Sequence, residues 1–178
     1  LWDAGGMTCN KVVANIPYNI TGPILEALLG TIVAPRHPPF DTLVLLVQQE
    51  VAQRLCAKPG TKACGALTQR VRYLAACEIL CPVPRSAFSP PPQVESSVIR
   101  LQPRSFPVVA QNPAHLQHLI QLGFSAKRKM LRNNLKAQIE NDRLLAGLSA
   151  GGLEPNVRAE DLSLEQWISL SNGLIGSD

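Results

Sequence analysis

Lys11-Val12-Val13-Ala14 runs straight into Asn15-Ile16-Pro17-Tyr18-Asn19. A short apolar strand thus ends in a loop carrying an amide, a proline and an aromatic ring. Pro23 suits the first turn of a helix, with Ile24, Leu25, Leu28 and Leu29 as its buried stripe. Residues 34–41 read as a loop. Residues 42–48 are almost wholly apolar, which suits a strand buried on both faces of a parallel sheet. Residues 50–57 read as a helix that Pro59-Gly60 ends, and residues 66–76 as another. Strands at 78–83 and 94–101 flank a Pro-rich loop. Two strand–helix alternations followed by a strand pair predict part of an α/β sheet.

Beyond Pro103 and Pro107 the pattern turns helical. Residues 113–124, 127–139 and 164–174 have helical character, and Ser163 with Gln166 predicts a capping box for the last. Gly147, Gly151 and Gly152 break the segment between. A domain boundary is expected near residue 105, separating a sheet domain (1–105) from a small all-α domain (106–178).

Composition narrows the class. The chain has 178 residues, 46% hydrophobic and 17% charged, which excludes a disordered chain. No apolar run reaches the roughly 18 residues of a membrane span, so no membrane partner is expected. Residue 1 is Leu, and no charged-then-apolar leader follows it. The chain therefore reads as a fragment. Five cysteines, at 9, 56, 64, 77 and 81, show no Cys-x-x-Cys spacing. His37, His115 and His118 complete no zinc pattern either, so reduced thiols and no metal are expected.

The charge is uneven. Residues 51–139 hold 13 Lys or Arg against Glu78 and Glu95, whereas residues 140–178 hold 2 basic residues and 7 acids. Lys127, Arg128, Lys129, Arg132 and Lys136 crowd one predicted helix, where Lys129, Arg132 and Lys136 would share a face. Such a cluster suits phosphate contact, with Arg70 and Arg72 extending it. It also suits a plain solvated helix face.

The loop after the first strand is where an open α/β sheet binds ligands. Asn15 can hydrogen-bond an exocyclic amine. Pro17 fixes the backbone and frees the Ile16 carbonyl to accept. Tyr18 offers a flat face for a base. These types suit methyl transfer to an amino nitrogen: two acceptors would draw a conjugated amine toward tetrahedral geometry as a methyl group approaches. No strong general base is needed. The same residues also suit an ordinary strand-to-helix turn with a capping Asn, and Phe88 also suits a core aromatic plugging the Pro-rich loop.

A family resemblance bears on these alternatives. Asn15-Ile16-Pro17-Tyr18-Asn19-Ile20-Thr21 resembles the Asn-Leu-Pro-Tyr-Asn-Ile-Ser motif of the ribosomal RNA adenine dimethyltransferases. Val47-Gln48-Gln49-Glu50-Val51-Ala52-Gln53-Arg54-Leu55 resembles a strand-to-helix segment of that family. Lys58-Pro59-Gly60-Thr61-Lys62 with Gly65-Ala66-Leu67 resembles its next loop. Phe88-Ser89-Pro90-Pro91-Pro92-Gln93-Val94-Glu95-Ser96-Ser97-Val98 resembles its Phe-x-Pro-Pro-Pro-x-Val-Asp-Ser loop. Phe124, Lys127-Arg128-Lys129 and Asn133-Asn134-Leu135 resemble its helical domain, and Arg158-Ala159-Glu160-Asp161-Leu162-Ser163 the segment before its last helix.

The resemblance implies the second half of a Rossmann-like sheet using S-adenosyl-L-methionine (SAM), followed by the all-α domain. It implies dimethylation of N6 on two adjacent adenines near the 3′ end of small-subunit rRNA, in naked RNA or a pre-small-subunit particle. Asn15 and the Ile16–Pro17 backbone would grip the amine, with Asn15 also beside the methyl donor. Tyr18 and Phe88 would sandwich the adenine, while the residue 127–136 cations hold RNA. A cytoplasmic monomer is implied, an organelle staying open. Two alternatives remain: the sister branch acting on large-subunit rRNA, and a non-catalytic ribosome-assembly factor. Ile16, Thr21 and Glu95 depart mildly from the family's Leu, Ser and Asp. The larger departure is that residues 1–10 show only Gly5-Gly6, and Asp3 as a weak match, where the family's Gly-rich cofactor segment would stand. Poor SAM binding by this chain alone and an exposed apolar sheet edge follow as expectations.

Overall fold

The structure is a computed structural model that describes residues 9–126 and 128–175. Its sheet has four strands: β1 (Lys11–Asn15), β2 (Thr42–Gln48), β3 (Ala75–Val83) and β4 (Ser96–Pro103), in the spatial order β1-β2-β4-β3. β1 and β2 run parallel, with Asn15 beside Leu46. β4 lies antiparallel between β2 and β3. The sheet is therefore mixed.

Burial corrects the reading of β2 as covered on both faces. Leu43, Leu45 and Val47 are fully buried, while Val44 and Leu46 between them are only half-buried. The covered face packs under three helices, α1 (Thr21–Leu29), α2 (Gln49–Leu55) and α3 (Ala66–Leu74), through Leu25, Leu29, Ala52, Leu55, Val71 and Leu74. Each buried Leu or Val among them contributes roughly 1.5–3 kcal/mol, and Ala52 less than about 1 kcal/mol. The other face presents Val13, Val44, Leu46 and Val98, with Val13 82% exposed. Among the described residues β1 is an edge strand.

α1 ends at Gly30, whose φ is +82°. A Cβ there would lie 2.3 Å from the Ala34 carbonyl oxygen, so only glycine allows the tight return of residues 31–36. α3 passes into β3 with no loop, because Ala75 is already extended. The expected helix end at 76 and strand start at 78 accordingly move to 74 and 75.

Four more helices follow: α4 (Pro113–Gly123), α5 (Leu131–Leu135), α6 (Asn141–Ala150) and α7 (Leu164–Ile175). They close on a second apolar cluster holding Leu116, Leu119, Leu131, Leu135, Leu144 and Trp167, all buried. Asn112 caps α4 by accepting from the His115 N–H at 3.0 Å. The Ser163–Gln166 capping box is present, with bonds of 2.9 and 3.2 Å. Two bonds tie this cluster to the sheet unit: Gln69 Nε2 donates to the Leu162 carbonyl at 3.2 Å, and the Gly60 N–H to that of Glu160 at 2.8 Å.

Two sequence readings fail here. Residues 141–150 form a helix despite Gly147, which faces α7: a Cβ on it would stand 3.0 Å from Leu170 Cδ1. The glycine allows helices to approach and does not end one. Residues 127–139 are not one helix either. Met130 is extended, and Asn134 Nδ2 donates to the carbonyls of Gly123 (2.6 Å) and Ala126 (3.2 Å), holding the chain before α5 in a turn. No helix among the described residues is long and apolar enough to cross a membrane.

Candidate active site

Asn15 is the last residue of β1 and is exposed. Its side chain makes no hydrogen bond within the described residues. Ile16 turns inward to 5% exposure, and its N–H reaches the Leu46 carbonyl at 3.5 Å. The chain thus dives between strand and core just after presenting the amide. Pro17 is extended, and residues 18–20 form one 3₁₀ turn.

Tyr18 is held twice. Its hydroxyl lies 2.5 Å from the Ser96 hydroxyl, and its carbonyl accepts from Thr21 Oγ1 at 3.2 Å. Ser96 is fully buried at the start of β4. Sequence reasoning included Ser96 in a motif but gave it no role; a partner 78 residues away leaves no local signal.

Phe88 follows a 3₁₀ turn over Arg85–Ala87. Glu95 fixes the base of this loop. Its carboxylate accepts from the Arg85 N–H at 2.8 Å, and its carbonyl accepts from the Gln49 N–H at 3.0 Å. Asn15 and Phe88 then line one open concavity of about 310 Å³, walled by Val13, Val44, Leu46, Val83 and Val98. Tyr18 is not among its lining residues. Its ring makes no ring contact with Phe88, so the two aromatics stand as separate elements around the strand end. A second concavity, about 300 Å³, lies at the opposite end of the sheet beside Leu74 and Pro103 and holds none of the expected site residues.

The basic cluster is rearranged rather than lost. Lys127 lies outside the described residues, as does Asp3. Arg128 and Lys129 sit in the turn before α5, Arg132 within it and Lys136 just after it. The shared helical face expected for Lys129, Arg132 and Lys136 therefore does not form. Arg128, Lys129 and Lys136 are exposed, and among the described residues none of these four cations forms an ion pair. Arg70 and Arg72 do not extend the cluster freely. Arg70 pairs with Glu26 at 2.8 Å, and Arg72 donates to the Ala57 carbonyl at 2.6 Å.

The sequence profile of the Ribosomal RNA adenine dimethylase family matches residues 8–175. The chain belongs to this family. It is 60% identical over 165 residues to "Ribosomal RNA small subunit methyltransferase A" of Nostoc punctiforme, covering 93% of this chain and 58% of that protein. To the protein of the same name from Acaryochloris marina it is 56% identical, with 93% and 61% covered. The chain thus spans about three-fifths of the length of these curated relatives. Among solved structures, a dimethyladenosine transferase from Plasmodium falciparum superposes with a TM-score of 0.72 at 25% identity, covering 94% of this chain and 67% of that one. The 23S rRNA methyltransferase ErmE has the same fold, with a TM-score of 0.68 at 23% identity over 93% of this chain and 65% of that one.

The concavity is a partial match for the family's cofactor. Asn15 is its polar side chain, and the remaining lining is aliphatic or aromatic. Such walls fit the flat ring of a base, and the Asn15 amide with the Phe88 ring face is what they offer the charge of a methyl-bearing sulfonium. Among the described residues no carboxylate lines it to take ribose hydroxyls. The described residues fit the reacting end of SAM and not its nucleoside end.

Proposed function

We propose that this member of the rRNA adenine dimethylase family forms the target-base side of a SAM-dependent methyltransferase. Its substrate is small-subunit rRNA, naked or in a pre-small-subunit particle, and its product is N6-dimethylation of two adjacent adenines near the 3′ end. The observation that carries the reading is the shared concavity of Asn15 and Phe88 at the carboxyl end of β1. The names of the two curated relatives, both small-subunit methyltransferases, support the RNA assigned.

When bound, SAM supplies an electrophilic methyl group. The chain's part is positional. A flipped adenine leaves its neighbours in the RNA stack, and an aromatic face restores roughly 1–3 kcal/mol of stacking. Phe88 offers such a face within the concavity, and Tyr18, which stands outside it at the strand end, would meet the other face of a base that reaches beyond the concavity. Tyr18 is kept upright by Ser96, so its orientation does not depend on the base. The Asn15 amide oxygen and the Ile16 carbonyl accept from the N6 amine, which localises its lone pair toward the methyl group. Arg128, Lys129, Arg132 and Lys136, with Lys127, hold phosphates and set register, leaving sequence choice to the base site.

Replacing Asn15 by Ala in the full-length protein tests this. Methylation is expected to fall at least 100-fold, the usual cost of losing one such donor or acceptor, with RNA affinity unchanged. Wild-type activity in Asn15→Ala refutes the role.

A further inference from the structure

The thiols of Cys56 and Cys77 meet at 2.9 Å, Sγ to Sγ. Cys56 is the C-cap of α2, and Cys77 lies in β3 opposite Leu101. Both are half-buried and free. Their approach is enforced from two sides. The Cys56 N–H is bonded to the Ala52 carbonyl at 3.1 Å, and Arg72 of α3 grips the carbonyl of the next residue, Ala57, at 2.6 Å. α3 runs without a loop into β3, which places Cys77. The remaining cysteines have other surroundings: Cys9 and Cys81 are exposed, and Cys64 accepts from Gln69 Nε2 at 3.4 Å.

We propose that Cys56 and Cys77 form a reversible dithiol–disulfide site, oxidised by low-molecular-weight disulfides such as glutathione disulfide. A disulfide bond is about 2.05 Å long, so the sulfurs need close by only about 0.9 Å. The two thiols are not equivalent. Cys56 sits below the ordinary thiol range through its hydrogen bond with Cys77, with Arg72 adding to the effect against burial and Glu78. Cys77 is pushed far above that range by the same hydrogen bond, and by burial. Cys56 is therefore the attacking thiolate.

The exchange balances in two steps. The Cys56 thiolate attacks one sulfur of the small disulfide, forming a mixed disulfide and releasing one glutathione thiolate. Cys77 gives its proton to that thiolate and attacks Cys56 Sγ, expelling the second glutathione thiolate, which takes a proton from solvent. Two protein thiols are oxidised, and one small disulfide is reduced to two thiols.

The test uses the folded full-length protein in equal reduced and oxidised glutathione, followed by alkylation and trypsin. Cleavage places Cys56 in peptide 55–62, Cys64 in 63–70, and Cys77 with Cys81 in 73–85. The expected result is peptide 55–62 joined to 73–85 in most molecules, with fragment ions locating the bond at Cys77. Dithiothreitol should reverse it. Cys81→Ser should retain the link, whereas Cys77→Ser should lose it and leave Cys56 as a mixed disulfide. Finding Cys56 and Cys77 both alkylated, or the bond at Cys81, overturns the proposal.

Discussion

Replacing Tyr18 by Phe removes one hydroxyl and keeps the ring, and the structure fixes what that should cost. The lost partner is the Ser96 hydroxyl, 2.5 Å away and fully buried. Tyr18→Phe leaves it with no partner where water has no access, at a cost of about 1–3 kcal/mol. Ser96→Ala breaks the same bond from the other side. It leaves only the hydroxyl of a half-buried tyrosine rather than that of a fully buried serine, so the cost is smaller, about 0.5–1.5 kcal/mol. The double variant has no orphaned group and should be more stable than Tyr18→Phe alone. Urea denaturation followed by tryptophan fluorescence reads all three. With a slope of about 2 kcal/mol per molar, a 2 kcal/mol loss lowers the midpoint by about 1 M. Methyl transfer gives the second reading. Tyr18→Phe keeps a face for stacking and should lose less than about tenfold, whereas Tyr18→Ala forfeits roughly 1–3 kcal/mol, or about 5- to 150-fold. Equal cost for the two single variants, with a strictly additive double, would refute the claim that Ser96 anchors the ring.

Gly123→Ala should destabilise by about 1–2 kcal/mol despite the better helix propensity of alanine, because its Cβ would meet fully buried Trp167 at 2.4 Å. Gly22→Ala, with nothing within 4 Å, should instead stabilise by about 0.5 kcal/mol, and thermal melts of the pair separate crowding from propensity. His115, bonded to Ser171 Oγ at 2.8 Å, is held below the ordinary histidine range by burial, then by His118 and Arg143. On acidification the unfolded chain takes up that proton first, near pH 6.5, so stability should fall as pH drops below about 6.5. His115→Gln should flatten that slope in pH-dependent urea titrations, and an unchanged slope would count against the assignment. Changing Arg128, Lys129 and Lys136 to Ala should weaken RNA binding and reduce the log–log salt slope by about 2–3, roughly 0.7–0.9 per phosphate contact. An unaltered slope would mean these cations only face solvent.

The sequence was most legible where one local rule governs. The apolar run before Asn15 located β1, Pro113 opened α4, and Ser163–Gln166 opened α7. It was least legible where distant contacts overrule local signals. Gly147 reads as a breaker, yet α7 lies so close that a small residue is wanted inside the helix. The run of cations after residue 126 reads as continuous helix, yet Asn134 turns the backbone there by bonding back to Gly123 and Ala126. The apolar content of β2 reads as two covered faces, yet the described helices pack on one. At the site, the strand-end motif pointed to Asn15, which lines the concavity, and to Tyr18, which does not. Ser96, Glu95 and the apolar walls of the concavity depend on strand order, which no short motif encodes.

The most direct test is to give the full-length protein SAM and unmethylated small subunits, and then map the RNA. Two adjacent N6,N6-dimethyladenines near the 3′ end of the small-subunit rRNA, absent with Asn15→Ala, are the predicted result. Methylation confined to large-subunit rRNA, or RNA binding with no methyl transfer, would contradict the account.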